Sequence, residues 1–204
     1  PAEFFKTMPK TGGFLEPLIF AIIMGVVAGI IHALIGIFGL TYIGKGFTES
    51  LGLIILYPIV IAILSFIIAA ILFVIWKVMG SPENFETAYR CGAYLSALAP
   101  IIAIIGIIPY VGGIINMAVY VFYLVIASTQ VHNIPSQKAW LIFGVIGGIL
   151  ALLAITAEYK ARHMAPTAEQ YRRTAEEINK QYQQHLEEVK KQMEEARKDS
   201  QRDN

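Results

Sequence analysis

Two side chains with chemical capability, His32 and Asn116, stand inside long apolar runs. An ionisable group in hydrocarbon is a functional candidate by default, because its desolvation is costly unless a partner offsets it. No acidic residue lies at the depth of His32, which is expected near mid-membrane. That favours a neutral imidazole bonded to a neighbouring helix. Asn116 reads similarly as a helix–helix hydrogen bond rather than a transport site. An aspartyl mechanism needs two buried carboxylates, and the apolar runs hold none. A serine mechanism would need Ser65, Ser96 or Ser128 beside His32 or His132, and none of these serines has a Gly-x-Ser-x-Gly context. There is no His-Glu-x-x-His and no phosphate-binding loop. The single cysteine, Cys91, excludes an intrachain disulfide and a multi-cysteine metal site. No catalytic or metal-binding residue and no cofactor is expected.

The elements that carry these residues follow from the distribution of charge. Of 204 residues, 56% are hydrophobic and 15% charged, with mean hydropathy +0.59. A soluble domain would be nearer one quarter charged. Net charge is +1, so nothing electrostatic points to nucleic acid as a partner. Between Arg90 and Lys138 there is no Asp, Glu, Lys or Arg. As helix that stretch would run about 70 Å, against a bilayer core of about 30 Å. It therefore suits two crossings, broken at Pro109-Tyr110-Val111-Gly112-Gly113, where Pro109 ends a helix and the glycine pair lets the chain reverse. The expected fold is all-α: a polytopic membrane protein with five transmembrane helices and a charged C-terminal helix.

In chain order, residues 1–13 form an interfacial segment, with Phe4, Phe5 and Met8 beside Lys6 and Lys10; an ordinary flexible lead-in is the other reading. This segment is too polar for a cleaved signal, so the first span is expected to serve for targeting. Residues 14–158 hold the spans, at about 17–42, 51–77, 88–108, 112–131 and 137–157. Gly25 and Gly29 in the first, and Gly144 and Gly148 in the fifth, mark helix-packing faces. The spacing does not separate a homodimer from an internal contact.

Pro58 should kink the second span, and Pro100 interrupts the third; with Pro109, Gly112 and Gly113 they form the hinge candidates. The carbonyl that Pro100 frees near Ser96 needs a partner, which argues for a buried helix. Ser81 should cap the helix that follows Gly80, with Pro82 at its first position. Trp76, Lys77, Lys138 and Trp140 are expected as interface anchors, and Arg90 as a side chain snorkelling to the headgroups.

Residues 165–200 change character. Thr167 and Gln170 form a capping box. Tyr171, Ala175, Ile178, Tyr182, His185, Val189, Gln192 and Ala196 follow a four-three spacing, a seam weakened by polar His185 and Gln192 and small alanines, while Glu176 with Lys180, Glu187 with Lys191 and Glu194 with Lys198 are i,i+4 pairs. A solvated single helix and a coiled coil both fit. Five crossings put the termini on opposite sides of the membrane. Lys6, Lys10, Lys77, Arg90 and Lys138 against Lys45, Lys160 and Arg162, with Arg172 and Arg173 farther off, lean weakly towards a cytoplasmic N-terminus.

A set of short motifs resembles the Ypt-interacting-protein family, the YIP domain of five membrane helices. They are Phe4-Phe5, Gly92-Ala93-Tyr94 followed by Pro100, Pro109-Tyr110-Val111-Gly112-Gly113, and Val131-His132-Asn133-Ile134 with Lys138-Ala139. Together they cover roughly Phe4 to Ala157. The resemblance implies five spans, a cytoplasmic N-terminus and no enzymatic activity. Eukaryotic relatives act in membrane trafficking with Rab-type GTPases and with one another. Their acidic-Leu-aromatic-Gly-Pro motif is missing here, where the chain reads Leu15-Glu16-Pro17-Leu18, so a GTPase partner is not expected. The chain looks more like prokaryotic members, which implies the cytoplasmic membrane of a prokaryote.

The function these features imply is membrane organisation or scaffolding, with membrane lipids and a second copy or other membrane proteins as partners. The alternative is a transporter, channel or lipid-moving protein built on the kinked helices around Pro58, Pro100, His32 and Asn116.

Overall fold

A computed structural model describes residues 1–40, 47–163 and 168–202. The loop 41–46, with Lys45, lies outside the described residues, as does Thr167 of the expected capping box. Every described element is helical: α1 (Ala2–Thr7), α2 (Leu15–Ile37), α3 (Phe47–Val78), α4 (Phe85–Leu95), a 3-10 turn (Ser96–Leu98), α5 (Ala99–Ile105), α6 (Val111–Gln130), α7 (Ser136–His163) and α8 (Ala168–Arg202). Helix is what an apolar chain in lipid must form, since it satisfies each backbone group within the segment. Five stretches are long and apolar enough to cross a bilayer: α2, α3, the run Phe85–Ile105, α6 and α7. The chain is a multi-pass helical membrane protein. It divides into one compact unit over Pro1–Arg162 and a second over His163–Asn204. In the second, Ile178 and Tyr182 of the expected seam are exposed.

The ends of the first two spans are set by glycines in the left-handed region. Gly39, at φ 66°, closes α2: Leu40 N–H bonds Ile35 C=O at 2.9 Å and Gly39 N–H bonds Gly36 C=O at 3.1 Å. Gly80, at φ 95°, closes α3 in the same way, with Ser81 N–H on Trp76 C=O at 2.9 Å. Both are double-bonded caps that only a residue without a Cβ adopts cheaply. α2 therefore stops at Ile37, short of the expected Tyr42, and His32 lies only five residues, about 8 Å, from its end.

Local chemistry also moved other boundaries. Asn84, not Ser81, caps α4: its Oδ1 accepts Thr87 N–H at 2.9 Å, so the helix starts at Phe85. The carbonyl of Ser96, freed by Pro100, is taken by the N–H of Ala99 in the 3-10 turn. The expected partner on another helix is not needed. α7 runs past Ala157 to His163 because Glu158 and Arg162 pair at 2.6 Å one turn apart.

α2 and α3 make the closest helix pair. A Cβ at Gly25 would lie 2.8 Å from Pro58 Cα, and one at Gly29 would lie 2.8 Å from Leu53 C=O. The GxxxG face is thus spent inside the chain, pressed on the backbone around Pro58. Inside a bilayer, dispersion between close backbones takes the place of hydrophobic association. A substitution of Gly29 to Leu should lower the melting temperature in detergent by the equivalent of about 1–3 kcal/mol or more. Gly52→Ala, where a Cβ meets nothing, should leave it unchanged or raise it.

Candidate functional site

Four groups of polar or strained residues mark the bundle.

Arg90, on the first turns of the third span, is fully buried. Its Nε donates to Pro9 C=O at 2.7 Å, Nη1 to Gly13 C=O at 2.9 Å and Nη2 to Glu16 Oε2 at 3.0 Å. Glu16 is 70% exposed, so the ion pair is screened and the two carbonyl bonds carry the attachment. Around it Gly13 N–H bonds Glu86 at 2.6 Å and Thr87 Oγ1 donates to Lys10 C=O at 3.2 Å. Lys10 pairs with Glu83 at 2.7 Å and donates to Val131 C=O at 3.2 Å. Phe5 and Met8 are buried in the main apolar cluster. The first sixteen residues are thus a lid bonded over the helix ends, not a loose interfacial segment. Arg90 does not snorkel, because the lid supplies its acceptors.

Beneath the lid lies a stack. Trp76 is fully buried, with its ring 3.9 Å from that of His132 and nearly parallel to it. Trp76 Nε1 donates to Ser128 Oγ at 2.8 Å. Trp76 therefore ties α3 to α6 instead of sitting in the headgroup belt. His132 Nδ1 bonds Ser81 Oγ at 2.7 Å. The Ser81 hydroxyl also accepts Glu83 N–H at 3.2 Å. Nε2 faces Cys91 Sγ at 3.9 Å. A serine, a histidine and a cysteine meet here, and all three are buried. Asn133, at φ 55°, turns the chain so that Ile134 N–H reaches Ser128 C=O at 3.0 Å. Lys77 donates to Ser81 C=O at 3.3 Å and Lys138 to Met79 C=O at 2.9 Å, while Trp140 is 46% exposed.

At the other end of the bundle the hairpin reverses at Tyr110, φ 58°, rather than at a glycine. Its N–H reaches both oxygens of Glu158 at 3.2 Å, and the Arg162 guanidinium lies over its ring at 5.4 Å. These contacts hold a strained φ that the sequence does not advertise. Gly112 is needed for close approach, since a Cβ would strike Ile105 C=O; Gly113 meets nothing.

The fourth group lies within the spans. A partly open groove of about 410 Å³ runs between α3 and the α4–α5 face, with His32 and Tyr120 contributing from α2 and α6. His32 stacks on Tyr57 at 4.5 Å. Asn116 is outside the groove: its Nδ2 donates to Ile102 C=O at 3.1 Å, joining α6 to α5, and its Oδ1 has no partner among the described residues. Pro58 is packed under Gly25, and Pro100 sits behind the 3-10 turn. Of the two glycines marked in α7, Gly144 and Gly148 meet nothing within the chain; the inward position is Gly147, against Val121. Among the described residues no cluster of His, Cys, Asp or Glu could hold a metal ion.

Residues 1–157 match the Yip1 domain. With five spans and an N-terminal lid on this architecture, the chain belongs to the Yip1 domain family. No curated protein and no solved structure shows a significant match to it.

Burial lowers the pKa of His132 to about 4; the Lys10 and Lys77 charges act in the same direction and Glu83 against it. A depressed base favours the fold while neutral. Stability is therefore complete above the unfolded pKa of about 6.5, falls as pH drops from there towards 4, and levels off below. A loss of a few kcal/mol across that window should appear in detergent melts. His132→Gln should be less stable at pH 7 and nearly flat over the same range. Arg90→Met should speed amide exchange in residues 5–13 while leaving α3 protected, since it removes both carbonyl bonds; Glu16→Gln should do far less.

Proposed function

We propose that this chain is a non-enzymatic membrane-organising protein that works by associating, helix against helix, with a second copy of itself or with another membrane protein. The observation that supports this is the outward glycine pair of α7. Gly144 and Gly148 lie one turn apart and exposed, and a Cβ at either meets nothing. Their neighbours Leu141, Val145, Ile149 and Leu152 have the bulk that a lipid-facing surface ordinarily shows. Glycines break such a surface where a second backbone is to approach. The other GxxxG, Gly25 with Gly29, is occupied by α3 and is not available. The absence of a metal, a cofactor and a catalytic residue is part of the same reading, as are a prokaryotic cytoplasmic membrane, a cytoplasmic N-terminus and no GTPase partner. The heptad-like face of α8 is a second surface for partners of the same kind.

The transporter or lipid-moving reading keeps one specific observation in its favour, the groove beside His32 and Tyr57. On that reading His32→Ala would reduce flux of lipid or solute in vesicles. Asn116→Ala would not, since that side chain is engaged with Ile102 C=O outside the groove.

Cys91 is the one cysteine and is buried, so added cysteines can be read cleanly. In native membranes under mild oxidation, Gly148→Cys should give crosslinked dimers or a crosslinked partner. Gly52→Cys, exposed on α3, should not. Adding Gly144→Leu to Gly148→Cys should cut the crosslink several-fold, as about 1–2 kcal/mol of packing would do. Equal crosslinking at positions 148 and 52 would remove this proposal.

A further inference from the structure

The groove is long and narrow. Its α3 wall runs from Tyr57 to Leu72, fifteen residues and so about 22 Å along the helix axis. Its opposite wall is the face of α4 and α5 that carries Gly92, Ser96 and Ala99. A volume of about 410 Å³ drawn out over that length makes a slot suited to an extended, flexible chain rather than a compact ligand. The volume itself lies within the usual range of ligand sites.

Its mouth faces the bilayer. Val60, Leu64 and Ile68, one turn apart along its α3 edge, are 37%, 43% and 48% exposed. Entry is sideways from hydrocarbon, not from water.

Polarity is distributed unevenly along it. At one end stand His32 and Tyr57, stacked ring on ring, with His32 about 8 Å from the end of α2. Midway, Ser65 and Ser96 donate to Ala62 C=O at 2.8 Å and Ala93 C=O at 2.6 Å, which keeps their protons off the groove. The far end, at Leu72 and Leu95, is apolar. A polar head belongs at His32 and Tyr57, with an apolar tail running towards Leu72. That is the orientation of a lipid in the leaflet next to the end of α2, opposite the lid.

We propose that this groove is a lipid-chain site. It takes one acyl chain of a bilayer lipid from that leaflet and holds the oxygen-bearing end against His32 and Tyr57. The site is independent of the α7 surface, so each proposal stands or falls separately.

The test uses the full chain in phosphatidylcholine vesicles. One arm carries trace palmitate with a mid-chain diazirine; the other carries phosphatidylcholine with the same modified chain. After illumination, labelled peptides are mapped by mass spectrometry. Saturable labelling should concentrate on the groove faces within 57–72 and 92–102 and be competed by the unlabelled form of the same probe. The stronger arm identifies a free fatty acid or an intact phospholipid as the source. Ala99→Phe, which fills the groove, should reduce that labelling about tenfold, the equivalent of about 1.4 kcal/mol, and spare the outward Ile55, Ile59 and Ile63. Leu64→Trp, which closes the mouth from the exposed side, should do the same if Ala99→Phe fails to fold. His32→Phe, which keeps the stack and removes the imidazole nitrogens, should weaken labelling several-fold. Labelling that is non-saturable, spread evenly over the lipid-facing surface and indifferent to both filling variants would overturn the proposal. So would crosslinking of position 64 to a second copy, which would show the groove to be a protein interface.

Discussion

Inside a bilayer two apolar helices gain nothing by leaving lipid for one another, so contact must come from backbones close enough for dispersion to count. The α2–α3 pair meets this constraint through Gly25 and Gly29, each seated on main-chain atoms of α3. This approach brings His32 onto Tyr57 and lines up the α3 face that walls the groove. Without it there would be no fixed second span for the rest to pack on. Pro58 adds to the fit, since the first helix lies directly against it.

A second layer of the structure obeys different physics. At the N-terminal end of the bundle the chain emerges from hydrocarbon, and hydrogen bonds do what dispersion does below. Arg90 supplies a rigid fork of donors to carbonyls of the lid, and Lys10 answers with bonds to Glu83 and Val131. Trp76, His132 and Ser81 then form a column that links α3, the turn after it and the turn after α6. Because that column is buried, its polar atoms are satisfied by one another. The same burial holds the Ser81–His132–Cys91 arrangement within the packed interior.

The Yip1 family membership accounts for the five-span plan but not for how each surface is used. Among the described residues, two surfaces of the membrane region stand open within the chain: the glycine pair on α7 and the groove beside α3. They differ in kind. The first is a shallow face suited to another backbone, and the second is a slot suited to a flexible chain.

The amino-acid order alone determined that this is an all-helical multi-pass protein, because missing charge over stretches of bilayer length leaves no other solution for the backbone. It also marked the hairpin between the third and fourth spans and the packed glycines of the first. What it could not decide was the direction in which particular side chains point. Trp76 next to Lys77 carries the pattern of an interface anchor, yet it turns inward, because Ser128 and His132, some fifty positions away, offer a hydrogen bond and a ring. Arg90 carries the pattern of a snorkelling cation, yet it is capped by a segment seventy-four to eighty-one positions earlier in the chain. Gly144, Gly147 and Gly148 look alike in order, and only the position of Val121 separates the inward one from the outward pair. Hydropathy and periodicity are local properties, whereas the partner that satisfies a buried polar group is set by which helices meet, and that is a property of the folded chain alone.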